Sequence, residues 1–278
     1  MVINWYPGHM VKARREIKEN IKLVDIVVML LDARAPLSCR NKDLEAMVGK
    51  KPIVFVLNKI DLAKPEQVME YKKMLEAEGF AVSAIDSITG KGSKEVLNML
   101  RNTYKPIADA MISKGRRVRP ARIMVVGVPN IGKSTFLNCM VGKKMAHTGP
   151  KPGVTRGKQW IRVREDIEFM DTPGLMWPKI EDEDQGYKLA LLNIIGENAY
   201  SEYDVALFLL KVLKERAPEV LLEKFKLDSV DEREEVILEN ISRRRGHLVK
   251  GGELDLEKTS KMLLQEFRKG NMSRICLD

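Results

Sequence analysis

The chain has 278 residues, of which 44% are hydrophobic and 31% are charged, and its formal net charge is +9. This composition is typical of a folded protein with a substantial core, and no apolar run approaches the ~20 residues of a membrane span. The first residues lack the charged and apolar regions of a signal peptide, and three isolated cysteines without CxxC spacing argue against a zinc site or a disulfide framework. We therefore expect a cytoplasmic protein without a membrane partner.

Short apolar runs alternate with helical segments through the first half of the chain. Runs of strand length are found at residues 25–32, 52–57, 80–85 and 122–126. Helices are predicted at residues 11–22, 44–48, 65–78 and 94–111, and a loop at residues 33–36. Because strand, loop and helix alternate, we expect an α/β fold with a mostly parallel sheet and helices on both faces.

The second half changes from this alternation to helices alone. After a helix that ends near residue 141 and a long loop at 142–157, residues 158–164 and 167–170 are predicted to form a hairpin, which brings the sheet to six strands. Beyond residue 178 the patterns are helical only, at residues 187–195, 202–214, 231–245 and 256–269. We therefore predict an α/β domain over residues 1–178 and a small all-helical C-terminal domain over residues 179–278, with the boundary near 177–184.

The stretch from Gly127 to Ser134 carries the clearest chemical signal, because it reads G-x-x-x-x-G-K-S between a buried strand and a helix. The glycines allow backbone N–H groups to surround a phosphate chain, and the helix N-terminus adds its positive end. Lys133 can reach the β- and γ-phosphates, and the Ser134 hydroxyl is placed to bind Mg²⁺. The predicted contacts of the nucleotide in this loop are Asn130, Ile131, Gly132, Lys133, Ser134 and Thr135.

Two further motifs follow strands, at the edge where a parallel sheet binds its ligands. In the D-T-P-G motif at residues 171–174, Asp171 can hold Mg²⁺ through water and the Gly174 N–H can contact a γ-phosphate. The N-K-I-D motif at residues 58–61 is predicted to determine which nucleotide base is bound. A third segment, Ser83-Ala84, lies in the strand that follows.

The base-choosing residues match guanine. Asp61 can accept hydrogen bonds from N1–H and from the N2 amine of guanine, a pattern that adenine lacks. Asn58 can bond N7, and the stem of Lys59 can lie over the ring. The backbone of Ser83 and Ala84 would then donate to O6. Together with the phosphate loop, these motifs predict that the nucleotide is GTP, with GDP as product, rather than ATP.

These motifs resemble those of GTPases of the Ras-like and translation-factor class, but their order is rotated. N-K-I-D comes first, followed by the phosphate loop, the loop with Thr155, and D-T-P-G. The chain is therefore similar to a circularly permuted P-loop GTPase. The W-Y-P-G-H-M segment at residues 5–10, the D-A-R-x-P segment at residues 32–36 and the helical tail resemble the ribosome biogenesis GTPase A family.

This resemblance implies a GTP-hydrolysing switch that acts in late assembly of the large ribosomal subunit. Its implied partners are that subunit or its precursor and ribosomal RNA, bound through the helical domain, and the implied state away from the ribosome is monomeric. The resemblance also implies that Thr155 is a ligand of Mg²⁺ and acts in catalysis together with Lys133 and Gly174.

Two departures from the Ras pattern bear on catalysis. The residue after D-T-P-G is Leu175 where Ras-like enzymes have a water-orienting Gln, so another group must position the water. His9 is our first candidate, with an N-terminal anchor beside Trp5 as its alternative role; His147 is the second candidate, and His247 is expected at the surface. Asn130 resembles the asparagine by which potassium-activated GTPases hold K⁺, or it serves the turn geometry of the loop.

Positive charge is concentrated in one part of the chain. Residues 110–164 contain 13 Lys and Arg residues and no acidic residue, which is more positive charge than one triphosphate requires. A polyanion such as RNA fits this excess, and a solvated basic face is the alternative. Two other functions stay open: a potassium-dependent GTPase that acts in RNA modification, and a guanine-nucleotide sensor in which Leu175 marks lost hydrolysis.

Overall fold

The computed structural model describes residues 15–142, 159–171, 180 and 182–278. Within this part the chain forms two compact units. The nucleotide-binding unit comprises residues 15–142 and 159–171 together with Asp278, and the helical unit comprises residues 180 and 182–277. The division into functional domains at residues 178 and 179 stays a prediction.

The nucleotide-binding unit is built on a six-stranded sheet. Its strands are β1 (Ile26–Asp32), β2 (Ile53–Asn58), β3 (Ala81–Ile85), β4 (Ala121–Val126), β5 (Gln159–Arg164) and β6 (Ile167–Asp171). Their order across the sheet is β3-β2-β1-β4-β6-β5. Neighbouring strands are parallel except for the β5–β6 hairpin, which is antiparallel. The predicted six-stranded, mostly parallel sheet is confirmed.

The centre of the sheet explains why its strands are apolar throughout. All seven residues of β1 are buried, because this strand lies between β2 and β4 and both faces of the sheet are covered. The parallel register pairs Asp32 with Asn58, so the polar residues that end β1 and β2 lie side by side at the carboxyl edge. This register therefore places polar groups together at the edge where parallel sheets bind their ligands.

Six helices of the described chain belong to this unit. They are α1 (residues 15–21), α2 (Pro36–Cys39), α3 (Lys42–Val48), α4 (Pro65–Ala77), α5 (Ser93–Ser113) and α6 (Lys133–Val141). Residues 11–14 of the first predicted helix lie outside the described part. The predicted loop is confirmed through residue 35, and Pro36 begins α2, where the Asp278 carboxylate accepts hydrogen bonds from the N–H groups of Leu37 (2.7 Å) and Ser38 (3.2 Å).

The helical unit contains α7 (Glu183–Leu191), α8 (Glu202–Arg216), α9 (Glu234–Arg245) and α10 (Leu256–Arg268), with a π-helical turn at Val220–Lys224. The helix α8 packs against α7, α9 and α10. A single β-bridge, Leu248 to Leu254, is present in the described residues of this unit. None of the helices among the described residues has the length and apolar character needed to cross a membrane.

The helix α7 begins and ends four residues before its predicted limits of 187–195. Its N-cap is Asp182, whose side chain accepts a hydrogen bond from the Gln185 N–H at 2.7 Å. The chain leaves the helix after Leu191, and Asn193 takes a left-handed conformation with φ of 59°. The cap and the left-handed residue, rather than the apolar pattern, determine these limits.

Candidate nucleotide-binding site

The phosphate loop joins β4 to α6 and depends on its two glycines. A Cβ atom at Gly127 would lie 2.8 Å from the carbonyl oxygen of Leu30, which is too close for any side chain. Gly132 has φ of 98°, a conformation that glycine adopts without strain, and it is the N-cap of α6. Ser134 and Thr135 follow in the first turn of this helix, where N–H groups and the helix dipole favour an anion.

The side chain of Lys133 folds back over the phosphate loop. Its Nζ atom donates hydrogen bonds to the carbonyl oxygens of Gly127 (2.9 Å) and Val128 (3.1 Å). The ammonium group is therefore held on the side of the loop where the N–H groups surround a phosphate chain. This position suits the predicted contact with the β- and γ-phosphates.

Asn58 connects the base-binding strand to the phosphate loop. Its side chain is buried at the end of β2, its Nδ2 atom donates to the Ile131 carbonyl oxygen at 2.9 Å, and its Oδ1 atom accepts from the Ser87 hydroxyl at 2.7 Å. Because an amide carries two N–H donors, one remains for a base. The structure thus brings the N-K-I-D motif and the phosphate loop together through one side chain.

Lys59 forms a second connection between the same two segments. It has a left-handed backbone with φ of 61°, and its Nζ atom donates to the Asn130 carbonyl oxygen at 3.0 Å. The same ammonium lies 3.0 Å from Oδ2 of Asp32. With its end held in this way, the stem of Lys59 is anchored beside the place that the motif assigns to the base.

Asp32 and Arg34 form a buried ion pair beneath this lysine. The Arg34 guanidinium donates to both carboxylate oxygens of Asp32, at 2.9 and 2.8 Å, and the Arg34 N–H donates at 3.1 Å. Burial alone would raise the pKa of Asp32, but the charges of Arg34 and Lys59 and the hydrogen bonds from Arg34 hold it well below 3.8. The D-A-R-x-P segment therefore keeps a permanent negative charge under Lys59.

Asp61 lies in a 3₁₀ turn, Ile60–Leu62, that follows directly on Lys59. Partial burial, and then the negative charge of Asp86, raise the pKa of this carboxyl above its ordinary value of 3.8. A partner that donates hydrogen bonds to the carboxylate would stabilise its ionised form and so lower the pKa again. The N1–H and N2 amine of guanine are such a partner, as the motif predicts.

The segment Ser83-Ala84 lies within the third strand, as predicted. Both residues are inside β3, where they pair with Val56 and Leu57, and they do not form the loop that follows the strand. That loop begins at Asp86 and Ser87. The predicted O6 contact therefore fits the loop after β3 better than the strand itself, since ligands of a parallel sheet bind beyond the carboxyl ends of its strands.

The loop after β3 is held rigidly. The Asp86 carboxylate accepts from the N–H groups of Ile88 (2.8 Å) and Thr89 (3.3 Å) and from the Thr89 hydroxyl (2.5 Å). The loop closes at Gly92, where a Cβ atom would lie 2.2 Å from the Ala84 carbonyl oxygen. Sequence reasoning missed Asp86 and Ser87, although the end of the apolar run at Ile85 is a signal that could have found them.

Several predicted site residues lie outside the described part of the chain. These are His9, His147, Thr155, Gly174 and Leu175, and the side chain of Asp171, the last residue of β6. Their roles stay predictions. Among the described candidates, His247 is half-buried rather than at the surface, and its Nδ1 atom lies 3.0 Å from the Thr259 hydroxyl. Burial, and then the charge of Lys258, lower its pKa.

Asn130 takes the backbone conformation that its position in the loop requires. Its φ is 55°, in the left-handed region that asparagine tolerates better than most residues. This geometry agrees with the simpler explanation of the residue, that it serves the turn. The role of the Asn130 side chain in binding K⁺ stays a prediction.

Comparison with known proteins finds a matching protein family and relatives that match nearly the whole chain. The protein family described as 50S ribosome-binding GTPase matches residues 122–243. Ribosome biogenesis GTPase A of Priestia megaterium is 40% identical and covers 100% of this chain and 97% of its own length. The protein of the same name from Thermotoga maritima is 30% identical and covers 99% of this chain and 94% of its own length.

Two solved structures have the same fold over nearly the whole chain. GNP-bound YlqF from Thermotoga maritima has a TM-score of 0.67 and 27% identity, and the match covers 96% of this chain and 99% of YlqF. GDP-bound YlqF has a TM-score of 0.67 and 25% identity, and the match covers 94% of this chain and 99% of that one.

These similarities confirm the predicted permuted arrangement, in which the base-binding strand β2 precedes the phosphate-loop strand β4 in the sequence. They also confirm the predicted chemistry, the binding of a guanine nucleotide and the hydrolysis of GTP. Because relatives with 40% identity match it from end to end, this chain belongs to the ribosome biogenesis GTPase A family of circularly permuted GTPases.

Proposed function

We propose that this GTPase is a Mg²⁺-dependent switch that acts in late assembly of the large ribosomal subunit. It binds ribosomal RNA in the precursor particle, stays bound while it holds GTP, and leaves after hydrolysis. The observation that carries the proposal is the match to proteins named ribosome biogenesis GTPase A over 100% of the chain, including the helical unit. Their name favours ribosome assembly over the alternative role in RNA modification.

Features of both units support the proposed partner, the large ribosomal subunit. The family description that matches residues 122–243 names the 50S subunit, and this range includes the phosphate loop, the helices α7 and α8, and most of α9. Residues 110–164 supply positive charge without an acidic residue. We place its action in the cytoplasm, and we propose that the chain is monomeric away from the ribosome.

The nucleotide chemistry is assigned to residues as follows. The Lys133 ammonium lies over the loop and contacts the β- and γ-phosphates, while Ser134, in the first turn of α6, binds Mg²⁺. Thr155 and Asp171 complete the Mg²⁺ site, and the Gly174 N–H contacts the γ-phosphate. The Ser87 loop supplies the contact with guanine O6 that Ser83 and Ala84 were predicted to make.

We propose that His9 positions the attacking water, since Leu175 stands where the Ras-like glutamine would be. The variant His9→Ala should hydrolyse GTP roughly 10²-fold more slowly and bind GTP almost unchanged, as expected for loss of a water-positioning group. Single-turnover hydrolysis in the presence of large-subunit particles measures this. Hydrolysis at the wild-type rate would move the role to His147 or to another residue.

We propose that the Asn130 side chain holds a K⁺ ion next to the phosphates, where the cation supplies positive charge to the transition state. Turnover should then be faster in K⁺ than in Na⁺. The variant Asn130→Gly is the sharper test, because glycine tolerates the φ of 55° and only the side-chain amide is lost. A K⁺ preference that survives in Asn130→Gly would leave this residue a turn former.

Co-sedimentation with ribosomal particles tests the switch itself. Wild-type protein should bind large-subunit particles tightly with a non-hydrolysable GTP analogue and clearly more weakly with GDP. Isolated small subunits serve as the control particle. Equal association in both nucleotide states would overturn the switch, and no association with large-subunit particles would overturn the assembly role.

A further inference from the structure

The strand β5 forms one edge of the sheet and exposes an unusual set of side chains. Trp160, Arg162 and Arg164 are exposed, while Ile161 and Val163 between them are buried. Trp160 and Arg162 are two residues apart and lie on one face of the strand, and the exposed Arg164 follows an irregularity in the pairing of β5 with β6. We call Trp160, Arg162, Arg164 and the neighbouring Arg122 the β5 patch.

Trp160 and Arg122 form the aromatic part of the patch. The Arg122 guanidinium carbon lies 5.0 Å from the centre of the Trp160 ring, so the cation covers one side of the indole. The tryptophan is nevertheless 36% exposed. Large aromatic side chains usually bury most of their surface, and within the described residues Trp160 is the one large aromatic among the exposed apolar side chains. This indole offers a surface on which another planar group can stack.

The two arginines of β5 keep their charge free for a partner. Among the described residues, their hydrogen bonds go to backbone carbonyl oxygens: Arg162 donates to that of Glu165 at 3.3 Å, and Arg164 donates to that of Val163 at 2.7 Å. The main acidic residues nearby are occupied by other arginines. Asp166 pairs with Arg101 and Asp25 pairs with Arg119, each at 2.7 Å, and Glu168 lies 3.9 Å from Arg122.

We propose that the β5 patch binds a single-stranded segment of RNA, with one base stacked on Trp160 and the backbone phosphates held by Arg162 and Arg164. Residues two apart on a regular strand lie about 6.6 Å apart, which is the spacing of Trp160 and Arg162, and the exposed Arg164 extends the positive charge beyond the irregularity. A positive strip next to an exposed aromatic ring is the arrangement that proteins use for unpaired nucleic acid.

The patch is separate from the nucleotide chemistry. Arg164 and Arg122 lie towards the start of the parallel strands, because Arg164 pairs with Ile167 and Arg122 pairs with Glu168, near the first residue of β6. The phosphate loop follows the other end of β4. The arginines of the patch therefore lie away from the phosphate loop, whereas Trp160, which pairs with Met170, lies nearer the carboxyl end of β6. The inference rests on the proposed function in naming the RNA of the large-subunit particle as the source of the segment.

The test compares two variants with a matched control. Arg162→Gln/Arg164→Gln removes the charge of the patch, Trp160→Leu removes the stacking surface, and Lys73→Gln/Lys94→Gln removes equal charge from exposed positions on α4 and α5. Each protein is titrated with large-subunit particles and with a single-stranded RNA oligonucleotide at several salt concentrations. GTP binding of each variant is measured first and should match wild type.

The double arginine variant should bind both probes more weakly, and its plot of log affinity against log salt should be shallower by about 1.4, the value for two lost phosphate contacts to a single strand. Trp160→Leu should bind roughly 5- to 150-fold more weakly with an unchanged salt slope, and Trp160→Phe should recover most of the loss. The lysine control should behave as wild type.

A second measurement does not depend on the folding of these variants. In a Trp5→Phe/Trp177→Phe background the fluorescence comes from Trp160 alone, and RNA should quench it on binding. Binding without quenching would overturn the stacking. If the patch variants bind the particle poorly but the oligonucleotide normally, the partner is a ribosomal protein and the RNA proposal is wrong. If wild type and variants bind the particle equally, the proposal that the β5 patch binds RNA is wrong, but the proposed assembly role is unaffected. If wild type fails to bind the particle, the proposed assembly role is wrong.

Discussion

The two units of this protein use charge in opposite ways. Within the part of the chain that the structure describes, the buried charged residues are Asp32, Arg34 and Asp86, and all belong to the nucleotide-binding unit. The buried polar residues of the helical unit are neutral hydroxyls: Ser242, Thr259 and Ser260. None of the described charged residues of this unit is buried: the row from Arg243 to Arg245 at the end of α9 is exposed, and others such as Lys214 and Arg268 are partly exposed.

This difference determines how large the effect of a substitution should be in each unit. Burying a charge costs several kcal/mol of desolvation free energy unless partners surround it. In the cluster of Asp32, Arg34 and Lys59 the charges offset this cost for one another, and the cluster holds the binding loops in place. Surface charge costs little, is screened by salt, and suits a polyanionic partner. Substitutions in the nucleotide-binding unit should therefore have large effects that salt changes little, whereas substitutions of surface charge in the helical unit should have smaller, salt-sensitive effects.

The largest effect is expected for Lys133→Ala. The lysine is positioned over the phosphate loop, and loss of its charge-assisted contacts to two phosphates should weaken GTP binding by ~3–6 kcal/mol, about 10²- to 10⁴-fold. Equilibrium titration with a fluorescent GTP analogue measures the change. Lys94→Ala, on the exposed side of α5, should leave the affinity unchanged. An affinity of Lys133→Ala near wild type would remove this lysine from the site.

The next effect concerns stability. Arg34→Met leaves the buried Asp32 carboxylate with Lys59 but without its bidentate partner, which should lower the free energy of unfolding by about 3–5 kcal/mol. Arg34→Lys keeps the charge and should cost less, although it loses the paired geometry. Urea denaturation measures both. Unchanged stability in Arg34→Met would show that Lys59 alone satisfies the carboxylate.

The same ion pair predicts the direction of a pH effect. The pKa of Asp32 is lower in the folded protein than the ordinary 3.8, so the unfolded chain binds the proton more readily. The stabilisation is therefore complete above the unfolded pKa and is lost as the pH falls below 3.8 towards the folded pKa. Arg34→Met should lose stability less steeply than wild type over this range.

A smaller change is expected when the base contact is altered. Asp61→Asn should weaken GTP binding by ~1.5–3 kcal/mol and favour xanthosine nucleotides, because the amide no longer matches the donors of guanine. Competition binding between GTP and XTP measures the change in preference, and ATP should displace the nucleotide from neither the wild type nor the variant. Wild-type affinity should also fall on acidification, starting at a higher pH than for an ordinary aspartate, since the raised pKa makes Asp61 easier to protonate. Equal binding of ATP and GTP would contradict the base assignment.

In the helical unit, replacing Arg243, Arg244 and Arg245 by Ala should weaken binding to large-subunit particles by roughly 1–2 kcal/mol at low salt. These arginines already have local partners: Arg244 pairs with Asp228 at 2.5 Å, and Arg245 lies over Phe225. The salt dependence of binding should flatten, while GTP binding stays the same. A loss that persists at high salt would indicate packing rather than charge.

The smallest effect is expected at a helix cap. Ser201 is the N-cap of α8, and its hydroxyl accepts from the Asp204 N–H at 3.3 Å. Ser201→Ala should lower stability by about 1 kcal/mol, and Ser201→Gly by less. Thermal unfolding measures this, with GTP affinity as the control that should not change. A change in GTP affinity would show that the two units are more tightly coupled than their separate architectures suggest.

Much of this protein is predictable because its signals are local. Buried parallel strands such as β1 and β2 need continuous apolar runs, and the phosphate loop needs glycines at fixed spacing, so both are visible in the sequence. The limits of α7 were misplaced by four residues because Asp182 and Asn193, rather than the apolar period, determine them. The short helix α2 was missed because part of its N-terminal capping comes from Asp278, 241 residues from Leu37.

The sequence by itself determined the kind of nucleotide and the loops that bind it, since residue type and spacing within each motif decide which hydrogen bonds can form. Only the tertiary structure decided how those loops are joined. Asn58 reaches Ile131, 73 residues away, and Lys59 reaches both Asn130 and Asp32. It also placed the Ser87 hydroxyl, beyond the end of β3, against the side chain of Asn58. Contacts between distant segments depend on which strands become neighbours in the sheet, and the order β3-β2-β1-β4-β6-β5 is not specified by the pattern within any one strand.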